Sequence, residues 1–191
     1  MTRLPWRQSI CTIMSLQSKA TIRPMEFDDL AQVSTIDRLA FSLPWPERAF
    51  HYELTQNANA RLWVAEVSVS QEKVVVGLVV VWLVVDEAHI ANIAGHPDFR
   101  GRGIGKQLLE TALKYAIQAG AREAMLEVRA NNQVAQEIYS QFGFEVVNRR
   151  VRYYRDNNED AILMNLKNLD PAYLEWMESG RQGSRPALPG R

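Results

Sequence analysis

Apolar and polar positions alternate with two different periods along this chain, and the switches between them mark out the elements. Ala20 to Arg23 is a short strand candidate. Glu26-Phe27-Asp28-Asp29 opens a helix to about Leu39, with acids in the first turn where the helix dipole favours them. Pro44-Trp45-Pro46-Glu47 punctuates the chain before a second helix to about Thr55. Arg61 to Val67 and Lys73 to Val85 are rich in Val and Trp and read as paired strands, and polar Ser68 to Glu72 suits the hairpin between them. His89 to Gly95 is a further strand. From Gly103 to Ala119 the apolar residues Ile104, Leu108, Leu109, Ala112, Leu113, Ala116 and Ile117 form a helical stripe, which Gly120 closes. Ala124 to Val128 reads as strand, Asn132 to Phe142 as helix, Phe144 to Val147 and Ala161 to Leu166 as strands, and Pro171 to Met177 as a short helix. The order β-α-α-β-β-β-α-β-α-β-β predicts a mixed α/β fold with a central sheet flanked by helices.

Composition narrows the function classes. The 191 residues are 47% apolar and 23% charged, which suits one domain with a real core. Lys plus Arg equals Asp plus Glu at 22 each, so the chain lacks the charge excess of a general nucleic-acid or membrane-surface binder. A single cysteine, Cys11, excludes an internal disulfide framework and fits a reducing, cytoplasmic setting. His51, His89 and His96 are scattered, and no Cys or His cluster has metal-ligand spacing, so no metal is expected. The apolar run Val74 to Val85 is too short for a bilayer. Residues 1–19, without an acid, read as an extension; residues 20–167 as the domain; and 168–191 as a short helix and a Gly- and Pro-rich flexible tail.

The densest chemical signal is His96-Pro-Asp-Phe-Arg-Gly-Arg-Gly-Ile-Gly105, which runs directly into the striped helix. Glycines ahead of a helix start expose backbone N–H groups that have no intrahelical partner, at the positive end of the dipole, and so suit phosphate. Arg100, Arg102 and Lys106 add positive charge. A P-loop is excluded, because Gln107 stands where a hydroxyl residue is needed and Arg100 where the first glycine belongs. A dinucleotide fingerprint from Gly101 fails at Lys106. The pattern that fits is Arg/Gln-x-x-Gly-x-Gly/Ala, as Arg100-Gly101-Arg102-Gly103-Ile104-Gly105. This resembles the acetyl-CoA pyrophosphate loop of the GCN5-related N-acetyltransferases.

Further segments follow at that family's spacing. They are Asp86 to Ala94, Leu126-Glu127-Val128-Arg129-Ala130-Asn131-Asn132, Ile138-Tyr139-Ser140-Gln141-Phe142-Gly143-Phe144, Arg149-Arg150 with Tyr153-Tyr154, and Glu159 to Met164. Together they resemble the RimI type, which acetylates the N-terminal alanine of a small-subunit ribosomal protein, S18. The resemblance implies a sheet whose neighbouring parallel strands splay apart to admit the cofactor. It implies pantetheine hydrogen-bonded along Ile93, Ala94 and Gly95, pyrophosphate on residues 101–106, and a further contact at Asn132. Gly95 departs from the Val common in the family but keeps the same backbone groups. The resemblance also implies Glu127 as general base and Tyr139 as general acid, with acetyl-CoA as donor and a protein N-terminus as partner, and no direct nucleic-acid or membrane contact.

Taken alone, these residues have other readings. Glu127 reads as a solvated carboxylate or the partner of Arg129, Tyr139 as core, and Asn132 as a helix N-cap. The acceptor could also be a lysine, a polyamine or an aminoglycoside, or the chain could bind acetyl-CoA without turnover. An α-amine has a pKa of about 7.7–8.0, so roughly a tenth to a sixth is neutral at pH 7, against about one part in 2,500 for a lysine of pKa about 10.4. A modest carboxylate base is adequate for the first and strained for the second.

Overall fold

A computed structural model describes residues 20–69 and 72–180. Cys11, the N-terminal extension and the tail from 181 onward lie outside the described residues. The elements are β1 (Thr21–Pro24), a 3-10 turn (Phe27–Asp29), α1 (Leu30–Ala40), α2 (Glu47–Thr55), β2 (Ala60–Val69), β3 (Glu72–Val84), β4 (Glu87–Gly95), a second 3-10 turn (Pro97–Phe99), α3 (Ile104–Gln118), β5 (Glu123–Arg129), α4 (Gln133–Gln141), β6 (Glu145–Tyr154), β7 (Glu159–Lys167) and α5 (Pro171–Glu178). One seven-stranded sheet has the order β1-β2-β3-β4-β5-β7-β6. Only β4 and β5 are parallel; every other neighbouring pair is antiparallel.

The sheet separates two apolar layers. On one face α3 buries Leu108, Leu109, Ala112, Leu113 and Ala116 against Val76, Val79, Ala124, Leu126 and Val128. Each fully buried Leu contributes about 1.5–3 kcal/mol. On the other face α1 and α2 bury Val33, Ile36 and Phe50 against Leu62, Val64, Leu78 and Val80. Helix α5 belongs to the α3 layer: Tyr173 and Met177 are buried in its core, Asp170 caps it, and the Tyr173 hydroxyl donates to the Phe142 carbonyl at 2.8 Å. The packed body therefore continues through α5. Among the described residues no helix is long and apolar enough to cross a membrane.

Two strands differ from the sequence expectation. β6 runs through Tyr154 rather than stopping at Val147, because it pairs with β7 as far as Tyr154↔Glu159. Every β6 residue from Glu145 to Tyr153 is exposed, so this edge strand carries no apolar alternation to read. In β4 the partners of Val80 and Val81 are Asn92 and Ile90, so Ala91 is an inserted residue. This bulge turns the strand over: Ile90 packs under α3, whereas Ala94 packs under α1 and α2.

Candidate active site

The parallel pairing between β4 and β5 covers Glu87↔Glu123 to Ile90↔Leu126 and then ends. β4 continues to Gly95 and β5 to Arg129, so the strands part just where the Ala91 bulge bends β4. The backbone groups that residues 91–95 turn towards β5 have no strand partner there. An extended ligand with amide groups can occupy that edge as an added strand would. Ile93, Ala94 and Gly95 all lie on this free stretch.

Residues 101–106 lie beyond the end of β4, at the start of α3. Gly101 and Gly103 have φ of +75° and +76°, left-handed conformations that exclude most side chains at low cost. Gly103 is the N-cap of α3 and supplies no side chain, and no acid occupies the first turn. The N–H groups of Ile104, Gly105 and Lys106 therefore remain available to an anion. A Cβ on Gly105 would meet nothing within 4 Å, and its φ is not positive. Neither packing nor backbone strain explains that glycine, whereas close approach of a phosphate does. The Arg102 guanidinium lies 4.9 Å from the Phe99 ring centroid, Arg100 is exposed and Lys106 half-buried. These features fit the pyrophosphate and pantetheine of acetyl-CoA.

Sheet alternation places Leu126 and Val128 beneath α3, and Glu127 and Arg129 on the α1–α2 face. Glu127 accepts from Arg150 Nη1 on β6, so its partner is Arg150 and not Arg129. The neighbouring Glu127 carboxylate, with burial, raises the Tyr153 pKa. Tyr139, on α4, is buried in the α3-side core with its ring centroid 5.9 Å from Phe144. Burial, and secondarily Tyr154, push its pKa above the ordinary phenol value. Asn132 accepts from Ala135 N at 3.2 Å and so caps α4. That capping role leaves the Asn132 amide NH2 with donor capacity for a further contact.

Arg129 is held from several sides. It donates to Glu159 at 3.0 Å, to Asp156 at 2.9 Å, to Asn157 at 3.2 Å and to Ser42 at 2.7 Å, and its guanidinium stands 3.9 Å from the Tyr154 ring centroid. Burial opposes its charge, but Glu159 and Asp156 outweigh burial and raise its pKa. Burial pushes the Tyr154 phenol up to about 12. Below α1, fully buried Asp37 accepts from Asn92 Nδ2 at 2.8 Å and from Trp45 N at 2.6 Å. Burial raises the Asp37 pKa despite these bonds.

Sequence reasoning missed three supports of this site. Arg150 and Tyr153 stood in a quoted motif, but nothing in it connected them to Glu127 across β7. Asp37 and Asn92 lie far apart in sequence, with no signal beyond a polar residue on an apolar face. Gly77, which interrupts an apolar strand, was the one readable sign: a Cβ there would come within 2.9 Å of Ile104 Cγ2, 3.0 Å of Leu108 Cδ1 and 3.1 Å of the Ala94 carbonyl. Its absence lets the start of α3 sit directly on the sheet beside β4.

Residues 30–144 match the model of the acetyltransferase (GNAT) family. The chain is 36% identical over 149 residues to a Bacillus subtilis (strain 168) protein provisionally named a ribosomal protein bS18-alanine N-acetyltransferase, covering 78% of this chain and 96% of that one. It is 33% identical over 157 residues to the ribosomal protein bS18-alanine N-acetyltransferase of Escherichia coli (strain K12), covering 76% and 96%. The crystal structure of the Escherichia coli ribosomal-protein-S18-alanine N-acetyltransferase superposes with a TM-score of 0.69 at 31% identity, covering 78% of this chain and 94% of that one. The parted parallel strands and the glycine loop at their mouth are thus those of an N-acetyltransferase that uses acetyl-CoA, and the chain belongs to the GNAT family.

Proposed function

We propose that the chain transfers the acetyl group of acetyl-CoA to the α-amine of a protein N-terminus, the N-terminal alanine of ribosomal protein bS18. The observation that carries this reading is the identity of 33–36%, over about three quarters of the chain, to relatives named for that reaction. The side chains at the strand gap support it.

In this reading acetyl-CoA supplies the activated thioester, held by residues 101–106 and by the free edge of β4. Glu127 removes a proton from the amine, directly or through one water, on the α1–α2 face. Arg150 fixes the direction of its carboxylate, so one oxygen is oriented before substrate arrives. A backbone N–H on the unpaired stretch of β4 polarises the thioester carbonyl. Tyr139 donates to the departing sulfur from the α3 side. Its raised pKa keeps the phenol protonated across the working range. Full transfer to a thiolate of pKa about 8.5 runs uphill from such a phenol, so a strong hydrogen bond to the sulfur is its main contribution. Asn132 adds a cofactor contact from the start of α4.

The test is an acetyl-transfer assay on peptides beginning Ala-Arg, run beside the same peptides with blocked N-termini and beside free polyamine. Acetylation confined to the free N-termini is expected. Equal turnover of blocked, lysine-containing peptides or of polyamine would replace the acceptor, and binding of acetyl-CoA without thiol release from any acceptor would replace the activity.

A further inference from the structure

Beyond Leu126 no backbone pairing joins β4 to β5, so something else must set the width of the opening. On the β4 side, Asn92 donates to Asp37 at the end of α1, and the other Asp37 oxygen accepts from Trp45 N. The turn of residues 41–46 therefore moves with β4. On the β5 side, Arg129 lies past the last residue paired with β4 and reaches Ser42 in that turn at 2.7 Å. Asp156, between β6 and β7, accepts from both Ser42 and Arg129. The path Asn92–Asp37–turn–Ser42–Arg129 closes a polar bridge across the parted strands, on the face that carries Glu127.

We infer that Arg129, with Ser42 and Asp156, is a latch that fixes the acceptor side of the opening, and that Arg129 is a positioning residue for the amine. This rests on the reading that the acceptor reaches Glu127 from the α1–α2 face. The chemistry suits a latch. The Arg129 and Asp156 side chains are 21% and 19% exposed, but Asp156 sits on an exposed turn, so the latch rests on the orientation of the fork and not on the strength of the ion pair. Two acids and the Tyr154 ring hold the planar fork in one orientation, which an ammonium cannot reproduce. Among the described residues, Ser42 is the hydroxyl through which the fork reaches the turn tied to β4. Its removal releases the turn while leaving the pairs of Arg129 with Asp156 and Glu159 intact. Glu127 is held separately by Arg150, so opening the latch misplaces the acceptor and not the base. The glycine loop opens α3, which packs on the opposite face of the sheet from α1 and α2, so the pyrophosphate contacts do not depend on the latch.

The experiment uses the full chain with acetyl-CoA and an Ala-Arg peptide. Ser42→Ala and Asp156→Asn should each raise the peptide KM about tenfold, with acetyl-CoA affinity unchanged within about twofold. The double variant should be no worse than the stronger single one, because both cut the same bridge. Arg129→Lys should lose as much as Ser42→Ala, since charge without the fork does not rescue the latch. Amide hydrogen exchange in residues 41–46 should quicken about tenfold in Ser42→Ala without any acceptor present. Wild-type peptide KM and wild-type exchange in Ser42→Ala would overturn the latch, as would an equal loss of donor affinity. Failure of the functional reading shows differently: the wild-type chain would not acetylate the peptide, and the exchange measurement would still report on the latch.

Discussion

Gly77 and Gly95 face each other in register on β3 and β4, yet the same substitution at the two should have opposite effects. A methyl group on Gly77 would press on Ile104 Cγ2 at 2.9 Å, Leu108 Cδ1 at 3.0 Å and the Ala94 carbonyl at 3.1 Å. Leu108 can yield by turning its side chain; the Ala94 carbonyl is backbone and can yield only if β4 moves. Overpacking of this kind costs about 1–3 kcal/mol, offset by about 0.5–1 kcal/mol from the lost freedom of glycine in the unfolded chain. Gly77→Ala should therefore lose about 1–2 kcal/mol, or about 2–8 °C in Tm for a domain of this size. A methyl on Gly95 meets nothing nearer than the Val76 carbonyl at 3.9 Å. Gly95→Ala should gain about 0.5–1 kcal/mol from the unfolded-state term alone. The functional consequence follows from what Gly77 touches. Lifting Ile104 from the sheet tilts the first turn of α3, whose N–H groups hold the pyrophosphate in the proposed reading, and acetyl-CoA affinity should fall about three- to tenfold, or about 0.7–1.4 kcal/mol. Thermal unfolding and titration calorimetry with acetyl-CoA measure both quantities. A Gly77→Ala variant with wild-type Tm and wild-type affinity would refute the claim that this glycine seats the helix.

Gly105→Val should leave Tm nearly unchanged, since nothing beyond its own helix backbone lies within 4 Å of its Cβ, but weaken acetyl-CoA binding at least about tenfold; calorimetry showing full affinity would remove residues 101–106 from the phosphate site. Glu127→Gln should cut turnover most at pH below the amine pKa of about 7.7–8.0, with the deficit shrinking as pH rises and solvent supplies neutral amine; a loss constant from pH 6 to 9 would make Glu127 a positioning group. Tyr139→Phe should slow thiol release in single-turnover measurements by about a hundredfold while the ring still packs; a normal chemical step would return Tyr139 to the core alone. Wild-type activity should show no decline from Tyr139 ionisation below about pH 10, because burial raises the pKa of that phenol. At Asp37 burial raises the carboxyl pKa, so the folded chain holds that proton more tightly than the unfolded chain. Its contribution to stability should fall as pH rises from about 3.9 through the raised folded value and stay flat above it. Asp37→Asn should abolish that slope in Tm measured against pH, and a slope equal to that of the wild type would assign it to another group.

Local pattern determined the helices, the order of the elements and the glycine turn before α3, because each depends on residues adjacent in sequence. The stripe from Ile104 to Ala116 is the buried face of α3, and the Arg100 to Gly105 glycine pattern carries the left-handed turns it required. Periodicity could not give the length of β6, whose residues face water on both sides and whose pairing is supplied wholly by β7. Nor could it give the Ala91 bulge, which appears only when β4 is laid against β3 and which turns Asn92 and Ala94 towards α1. The partner of Glu127 was open for the same reason. Arg129 is its neighbour along the strand, but Arg129 is drawn to Asp156, Glu159 and Ser42, and Arg150 arrives from across the sheet. Ion pairs between distant segments are decided by which strands lie side by side, and that choice is made by burying apolar surface throughout the domain, not by the charges themselves.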